Sequence, residues 1–296
     1  MTRCGLVAVL GAPNAGKSTL VNALVGQKVA IVSPKAQTTR ARLMGIAIEG
    51  ESQMLLVDTP GIFTPNRRLD RAMVKAAWEG AEDADRVVLV IDAAAKVGAR
   101  VEYMLHGVED RTEPKILVLN KVDIAKKDDI LVLAARLSER LKPEAVFMIS
   151  ATTGDGVSTL KTHLAEAMPE GPWHFPDDQL TDVTDRMVAA ELTREQLYHQ
   201  LHAELPYASA VTTEKWEDRK DGSTAIHQQI MVERESQKAI VVGKGGSRLK
   251  AIGQAAREAI AEHIGRKVHL FLHVKVNPRW GEDRGLYQDI GLDWAD

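Results

Sequence analysis

A chain of 296 residues is long for one core and comfortable for two, since domains commonly run to about 100–200 residues, so a seam is expected along it. With 45% hydrophobic and 27% charged residues it has the make-up of an ordinary globular protein, and its longest apolar run, 87–95, is broken by Asp92 well short of the ~20 residues that span a bilayer. The single cysteine, Cys4, excludes an internal disulfide, the first residues show no export-signal pattern, and a net charge of −3 points to no partner by itself, so a cytoplasmic location, at most peripheral to a membrane, is expected.

From residue 6 to 168 short apolar runs alternate with amphipathic stretches. LVAVLG, QMLLVDT, RVVLVIDA, KILVLNK and AVFMISA read as buried strands, and 17–25, 71–84 and 128–141 have helical length and period. The alternation predicts an α/β unit with a mostly parallel sheet covered by helices on both faces, in which ligands bind beyond the carboxyl ends of the strands. Gly11-Ala12-Pro13-Asn14-Ala15-Gly16-Lys17-Ser18 has the G-x-x-x-x-G-K-[ST] spacing between the first strand and the first helix, with Thr19 next in that turn. Inward N–H groups and the helix N-terminus suit phosphate oxygens, Lys17 can reach the outer phosphates, and Ser18 suits Mg²⁺. The plainer alternative, a glycine-rich turn, does not explain Lys17 and Ser18 together.

Further along, QTTR places Thr38 and Thr39 in a polar segment, where one of them can complete the shell of the Mg²⁺ when a third phosphate is present. Asp58-Thr59-Pro60-Gly61 ends a strand, so that the Asp58 carboxylate can hold the metal and the bare Gly61 N–H can sense the terminal phosphate. Asn120-Lys121-Val122-Asp123 ends another. A carboxylate at Asp123 accepts both N1–H and the 2-amino group of guanine, whereas adenine would leave it unpaired at a cost of about 1–3 kcal/mol. Ser150-Ala151-Thr152 can offer a backbone N–H to the base oxygen, and is uninformative alone.

Taken in order, GAPNAGKS, QTTR, DTPG, NKVD and SA resemble a translation-factor-type GTPase, close to the Era family of ribosome-assembly GTPases. The resemblance implies a G domain over 1–168 that cycles between GTP and GDP forms and uses Lys17, Thr39, Asp58, Gly61 and Asn14 in catalysis. Ile62 stands where many GTPases place a water-orienting glutamine, so intrinsic hydrolysis is expected to be slow. In similar GTPases an asparagine at the Asn14 position helps to bind K⁺; an ordinary turn residue is the alternative.

Residues 169–182, with prolines and clustered acids, read as a linker with little rigidity. A smaller α+β domain is expected over 183–296: helix 183–204, strands 208–216 and 225–232, helices 236–241 and 247–264, and strand 267–276. From Lys238 to Arg284 there are ten Lys or Arg against four Asp or Glu, an excess of six positive charges that can hold a polyanion. Gly243-Lys244-Gly245-Gly246 is too short to wrap a triphosphate, but it can join two helices tightly and let a sugar–phosphate backbone pass, as in the clamp of a K homology (KH) module. Ile240 and Val241 are candidates to line a base groove, with Ser247, Lys244, Arg248, Lys250 and Lys275 near the RNA; Arg279 and Trp280 stack on a base or cap the last strand.

The element order is similar to the type II KH arrangement, and with the G domain it extends the Era-family resemblance over nearly the whole chain. The family binds the single-stranded 3′ end of 16S rRNA and acts in small-subunit maturation, and a monomer is expected. The acidic stretch after Trp280 matches the family less well. Two rivals remain at this point: a tRNA-modification-type GTPase, and an RNA-binding scaffold in which GTP is only structural.

Overall fold

The computed structural model describes every residue except 34, 36, 37, 203, 204 and 296, so Gln37 of QTTR, the expected helix end at Glu204 and the chain end at Asp296 lie outside the described residues. The chain folds as two compact units divided between Asp182 and Val183.

The first unit runs β1 (Arg3–Gly11), α1 (Lys17–Val25), β2 (Leu43–Glu49), β3 (Ser52–Asp58), α2 (Arg68–Glu79), β4 (Arg86–Asp92), α3 (Ala99–Glu109), β5 (Lys115–Asn120), α4 (Lys127–Leu141), β6 (Ala145–Met148) and α5 (Val157–Ala167). Its strands order as β2-β3-β1-β4-β5-β6, parallel throughout except β2, which pairs antiparallel with β3. Successive strand residues point to opposite faces, and the two faces bury different helices. Val7, Val9, Leu56, Val88 and Val118 pack with Leu20, Val21, Leu160 and Leu164, whereas Ala8, Leu10, Leu89, Leu117 and Leu119 pack with Ala77, Met104, Leu105 and Leu137. The winding direction reverses at β1 and β4, the place where an open α/β sheet leaves a crevice.

β2 was not among the expected strands, and α2 begins earlier and ends earlier than 71–84. The Asp70 carboxylate reaches back to the N–H groups of Asn66 (3.2 Å) and Arg67 (3.0 Å), which starts the helix at Arg68.

The expected linker belongs to the first unit. Gln53, fully buried on β3, accepts hydrogen bonds from the N–H groups of His174 (2.9 Å) and Phe175 (3.1 Å) and donates to the Phe175 carbonyl (2.8 Å). Further on, the Ile46 N–H donates to Leu180 O (2.8 Å) and the Thr181 hydroxyl to Met44 O (2.8 Å), so the segment straps the outer edge of β2. Prolines end its helical options, but backbone groups between them still pair.

The second unit runs α6 (Asp185–Gln200), β7 (Ser209–Asp218), β8 (Thr224–Val232), α7 (Glu235–Val242), α8 (Ser247–Ile264), β9 (Val268–Val276) and α9 (Arg284–Asp289). β8 lies centrally, antiparallel to β7 and parallel to β9. α6, α7 and α8 cover one face of this sheet around Leu197, Val211, Ile230, Val232, Val241, Ile252 and Val274.

Candidate functional site

The carboxyl ends of β1, β3, β5 and β6 bring the motifs of the first unit together, because a parallel sheet delivers all of them to one edge. Pro13, Asn14, Gly16, Lys17, Ser18, Thr19, Thr39 and Gly61 line one cavity, joined by Ile31, Val32 and Ser33, which the sequence motifs do not reveal. Gly61 is glycine because DTPG meets the phosphate loop flush: a Cβ there would lie 2.7 Å from the backbone of Pro13.

Lys17 is 6% exposed, and its ammonium donates to the carbonyls of Gly11 and Ala12, both at 3.1 Å. Burial pulls its pKa down to about 8, with Asp58 opposing. Burial likewise raises the fully buried Asp58 carboxyl, against hydrogen bonds from Ser18 and Thr39 and the charge of Lys17. Ser18 Oγ donates to Asp58 Oδ2 (2.6 Å) and lies 2.8 Å from Thr39 Oγ1, which is itself 3.3 Å from that carboxylate oxygen. Three hydroxyl and carboxylate oxygens thus converge, and Asp58 Oδ1 is buried with no hydrogen-bond partner among the described residues. Hard oxygen donors with one orphaned carboxylate oxygen suit Mg²⁺. Thr38 also lines this cavity, but its hydroxyl donates to Lys35 O (2.8 Å) instead of joining the Asp58 cluster.

The base-side residues divide into two groups. Asn120, 2% exposed, donates to Ala15 O (2.8 Å) and accepts from Ala151 N–H (2.9 Å), tying the phosphate loop to the Ser150–Thr152 loop. The N–H assigned to the base oxygen is therefore engaged by Asn120 where it belongs to Ala151. Lys121 spans Asn14 O (2.7 Å) and Asp92 (2.6 Å), while Asp123 is exposed. Thr59 gives its hydroxyl to Val9 O (2.8 Å) and Ser150 accepts from Thr153 N–H (3.2 Å), so both side chains brace loops. Ile62 is fully buried and its N–H donates to Gly11 O (3.1 Å).

In the second unit the glycine loop joins α7 to α8. Gly243, at φ 72° and ψ 174°, occupies backbone space open to glycine alone, and a Cβ there would come within 2.8 Å of Arg248 Cβ. Gly245 and Gly246 also have positive φ. Lys244, Ser247, Arg248 and Lys250 are exposed, although Arg248 also latches α8 to α7 through Ile240 O (2.8 Å). Beside the loop a cleft is lined by Gly246, Leu249, Lys250, Gly253, Gln254, Arg257, Leu270 and Leu272. Most of that lining was not anticipated; the signal was its spacing of three to four residues along α8. Val241 is corrected to a core residue with no exposed surface, whereas its neighbour Ile240 is 44% exposed. Trp280 caps the unit, 2% exposed with its indole N–H on Ala208 O (3.2 Å), and Arg279 is exposed. Lys275 alternates on β9 with the cleft-lining leucines and so lies on the other face of the sheet.

Comparison with known proteins agrees with both halves. Residues 6–121 match the 50S ribosome-binding GTPase family and 204–281 the KH domain family. The chain is 59% identical to GTPase Era of Erythrobacter litoralis, covering 100% of this chain and 98% of that one, and 55% identical to GTPase Era of Rhizobium meliloti, covering 99% and 94%. The fold superposes on Era in complex with MgGDPNP and nucleotides 1506–1542 of 16S ribosomal RNA, with TM-score 0.93 and 36% identity over 98% of this chain and 99% of that one. It superposes equally on an Aquifex aeolicus Era variant bound to GDP·AlF4⁻, with TM-score 0.92, 36% identity and the same coverage. A phosphate-loop α/β unit followed by a KH unit, with such identity along the whole length, makes the chain a GTPase and a member of the Era family.

Proposed function

We propose that this GTPase binds the single-stranded 3′ end of 16S rRNA through its KH unit and acts in assembly of the small ribosomal subunit in the cytoplasm. The observation that carries the reading is the presence on one chain of the Ser18, Thr39 and Asp58 oxygen cluster and of an exposed glycine clamp beside an open cleft. Its support is the bound RNA of the Era neighbour.

Phosphoryl transfer to water is catalysed mainly by position and charge. Lys17 exchanges its two carbonyl partners for the outer phosphate oxygens, where its ammonium form is favoured. Ser18, Thr39 and Asp58 would hold Mg²⁺, which neutralises charge on the phosphates when bound. Thr39 and the Gly61 N–H report the third phosphate, and Asp123 accepts the two guanine donors. Buried Ile62 offers no hydrogen bond to a water, so the unassisted reaction is slow; Asn14, exposed at φ 66°, would help to hold K⁺ against the phosphates. On the KH unit, backbone at Gly243–Gly246 passes the RNA strand, Lys244, Lys250 and Arg279 meet phosphates, and Leu249, Leu270 and Leu272 meet bases. A tRNA-modification reaction is disfavoured, because Cys4 is buried and donates to Gln53 Oε1 (3.6 Å).

The test is GTP hydrolysis in K⁺ and in Na⁺ buffer with Mg²⁺, with and without a single strand copied from the 3′ end of 16S rRNA. Acceleration by K⁺ and by RNA is expected, the latter absent in Gly245→Asp. Tight RNA binding with an unchanged rate would leave two independent activities on one chain.

A further inference from the structure

β9 has two faces, and only one of them serves the cleft. Leu270, Leu272 and Val274 turn toward the helices; His269, Phe271, His273 and Lys275 therefore turn to the reverse face. There Phe271 is 46% exposed, and its ring stacks on that of His227 in β8, with centroids 4.6 Å apart and planes 17° apart. Next along, the Gln229 amide, 8% exposed, donates to Glu214 (2.7 Å) and to His273 Nε2 (3.0 Å), which holds the second imidazole in place. Exposed Lys275 stands beyond it.

An aromatic ring standing out of a strand, backed by a second ring and flanked by donors, is the arrangement with which open sheets stack unpaired RNA bases. Glu217 pairs with Lys215 (2.7 Å) and the charge of Glu214, hydrogen-bonded by the Gln229 amide, is offset by Lys275 on the same face, so the face is close to neutral overall and suits a base ring better than a run of phosphates. β9 also closes the sheet order at the side of the cleft, which puts the reverse face one strand's thickness from Leu270 and Leu272. A glycine clamp holds about four nucleotides. A longer strand must leave the cleft, and the edge of β9 is one way out.

We infer that the reverse face of β9 is a second RNA contact, in which a base beyond the clamp rounds this edge and stacks on Phe271 while Lys275 meets its phosphate. This rests on the RNA reading of the clamp above. It is tested by fluorescence anisotropy with 5-nucleotide and 12-nucleotide single strands that share one clamp-binding core, the longer ones extended on the 5′ or the 3′ side. Phe271→Ala weakens one of the 12-mers about 10-fold and the 5-mer less than 2-fold, and Phe271→Trp retains the 12-mer affinity. Loss of a stacking base also shows as lost quenching of 2-aminopurine placed just outside the core. Equal affinity of Phe271→Ala and the parent for both 12-mers, or an equal loss for 5-mer and 12-mer, overturns the inference. Gly245→Asp serves as the separate control. It weakens both lengths if the clamp reading holds, and no effect on either overturns that reading, leaving the Phe271 comparison to decide its own question. Thermal melting of each variant guards against misfolding.

Discussion

The two glycine loops of this chain solve opposite problems. The Gly11–Ser18 loop buries its charges before any ligand arrives: Lys17 sits at 6% exposure with a pKa near 8, and Asp58 is fully buried with an orphaned oxygen. The Gly243–Gly246 loop buries none, and Lys244, Gly245, Arg248 and Lys250 are exposed around it. Desolvated groups interact strongly with a ligand of complementary charge and tolerate little else. Exposed cations attract any polyanion, weakly and in competition with salt. The first loop is built to select and react, the second to hold a passing strand.

That contrast is broken most severely at Lys17. Lys17→Ala is expected to lower kcat for GTP hydrolysis by about 10³-fold or more, since it removes the buried cation aimed at the phosphates, while RNA affinity changes less than 2-fold. Single-turnover hydrolysis and RNA titration on one preparation check both halves.

Salt separates the loops next. If Lys244, Lys250 and Arg279 each release a counterion from single-stranded RNA, raising salt from 50 to 200 mM weakens RNA binding roughly 10- to 20-fold. GTP binding with Mg²⁺ at the buried site is expected to respond less, and parallel titrations across this range measure the difference.

The smallest effect is in pH. The Lys17 pKa is depressed in the free protein, and phosphates favour its charged form, so nucleotide binding takes up a proton above pH 8. GTP affinity is then fully present below about pH 8 and falls as pH rises past it, by at most tenfold per unit. For the nucleotide-free protein the sign is opposite: between about 8 and the ordinary lysine value the unfolded chain binds more protons, so stability rises with pH. Calorimetry in buffers of different ionisation enthalpy reads the proton uptake directly.

Much of this organisation was legible because local sequence encodes it. α1 and α8 have the expected bounds, 17–25 and 247–264, and both are closed at each end by glycines with positive φ: Gly16 and Gly26, Gly246 and Gly265. Features that depend on distant partners were not legible. β2 contains Gly45, where a Cβ would lie 2.9 Å from Val21 and Val25, so its glycine records packing against α1 and disguises a strand. The strap over 169–182 is ordered by the Gln53 amide, more than a hundred residues away in sequence. Ile240 and Val241 are adjacent apolar residues on an eight-residue helix, and only its packing tells which one is core. Lys275 illustrates a neglected rule: its charge suggested the clamp, but strand alternation already assigned it to the reverse face from Leu272.

The most direct measurement is on Gly245→Asp, with RNA affinity and unstimulated GTP hydrolysis taken from one preparation. A Cβ at Gly245 meets no atom of the described residues within 4 Å, and aspartate is among the few side chains that visit a φ of 59°, so the variant carries local backbone strain but no clash while placing a carboxylate where a phosphate must pass. RNA affinity is expected to fall by about tenfold or more with unstimulated hydrolysis within 2-fold of the parent. Retained RNA affinity, or hydrolysis lost along with it, would contradict the division of labour between the two loops.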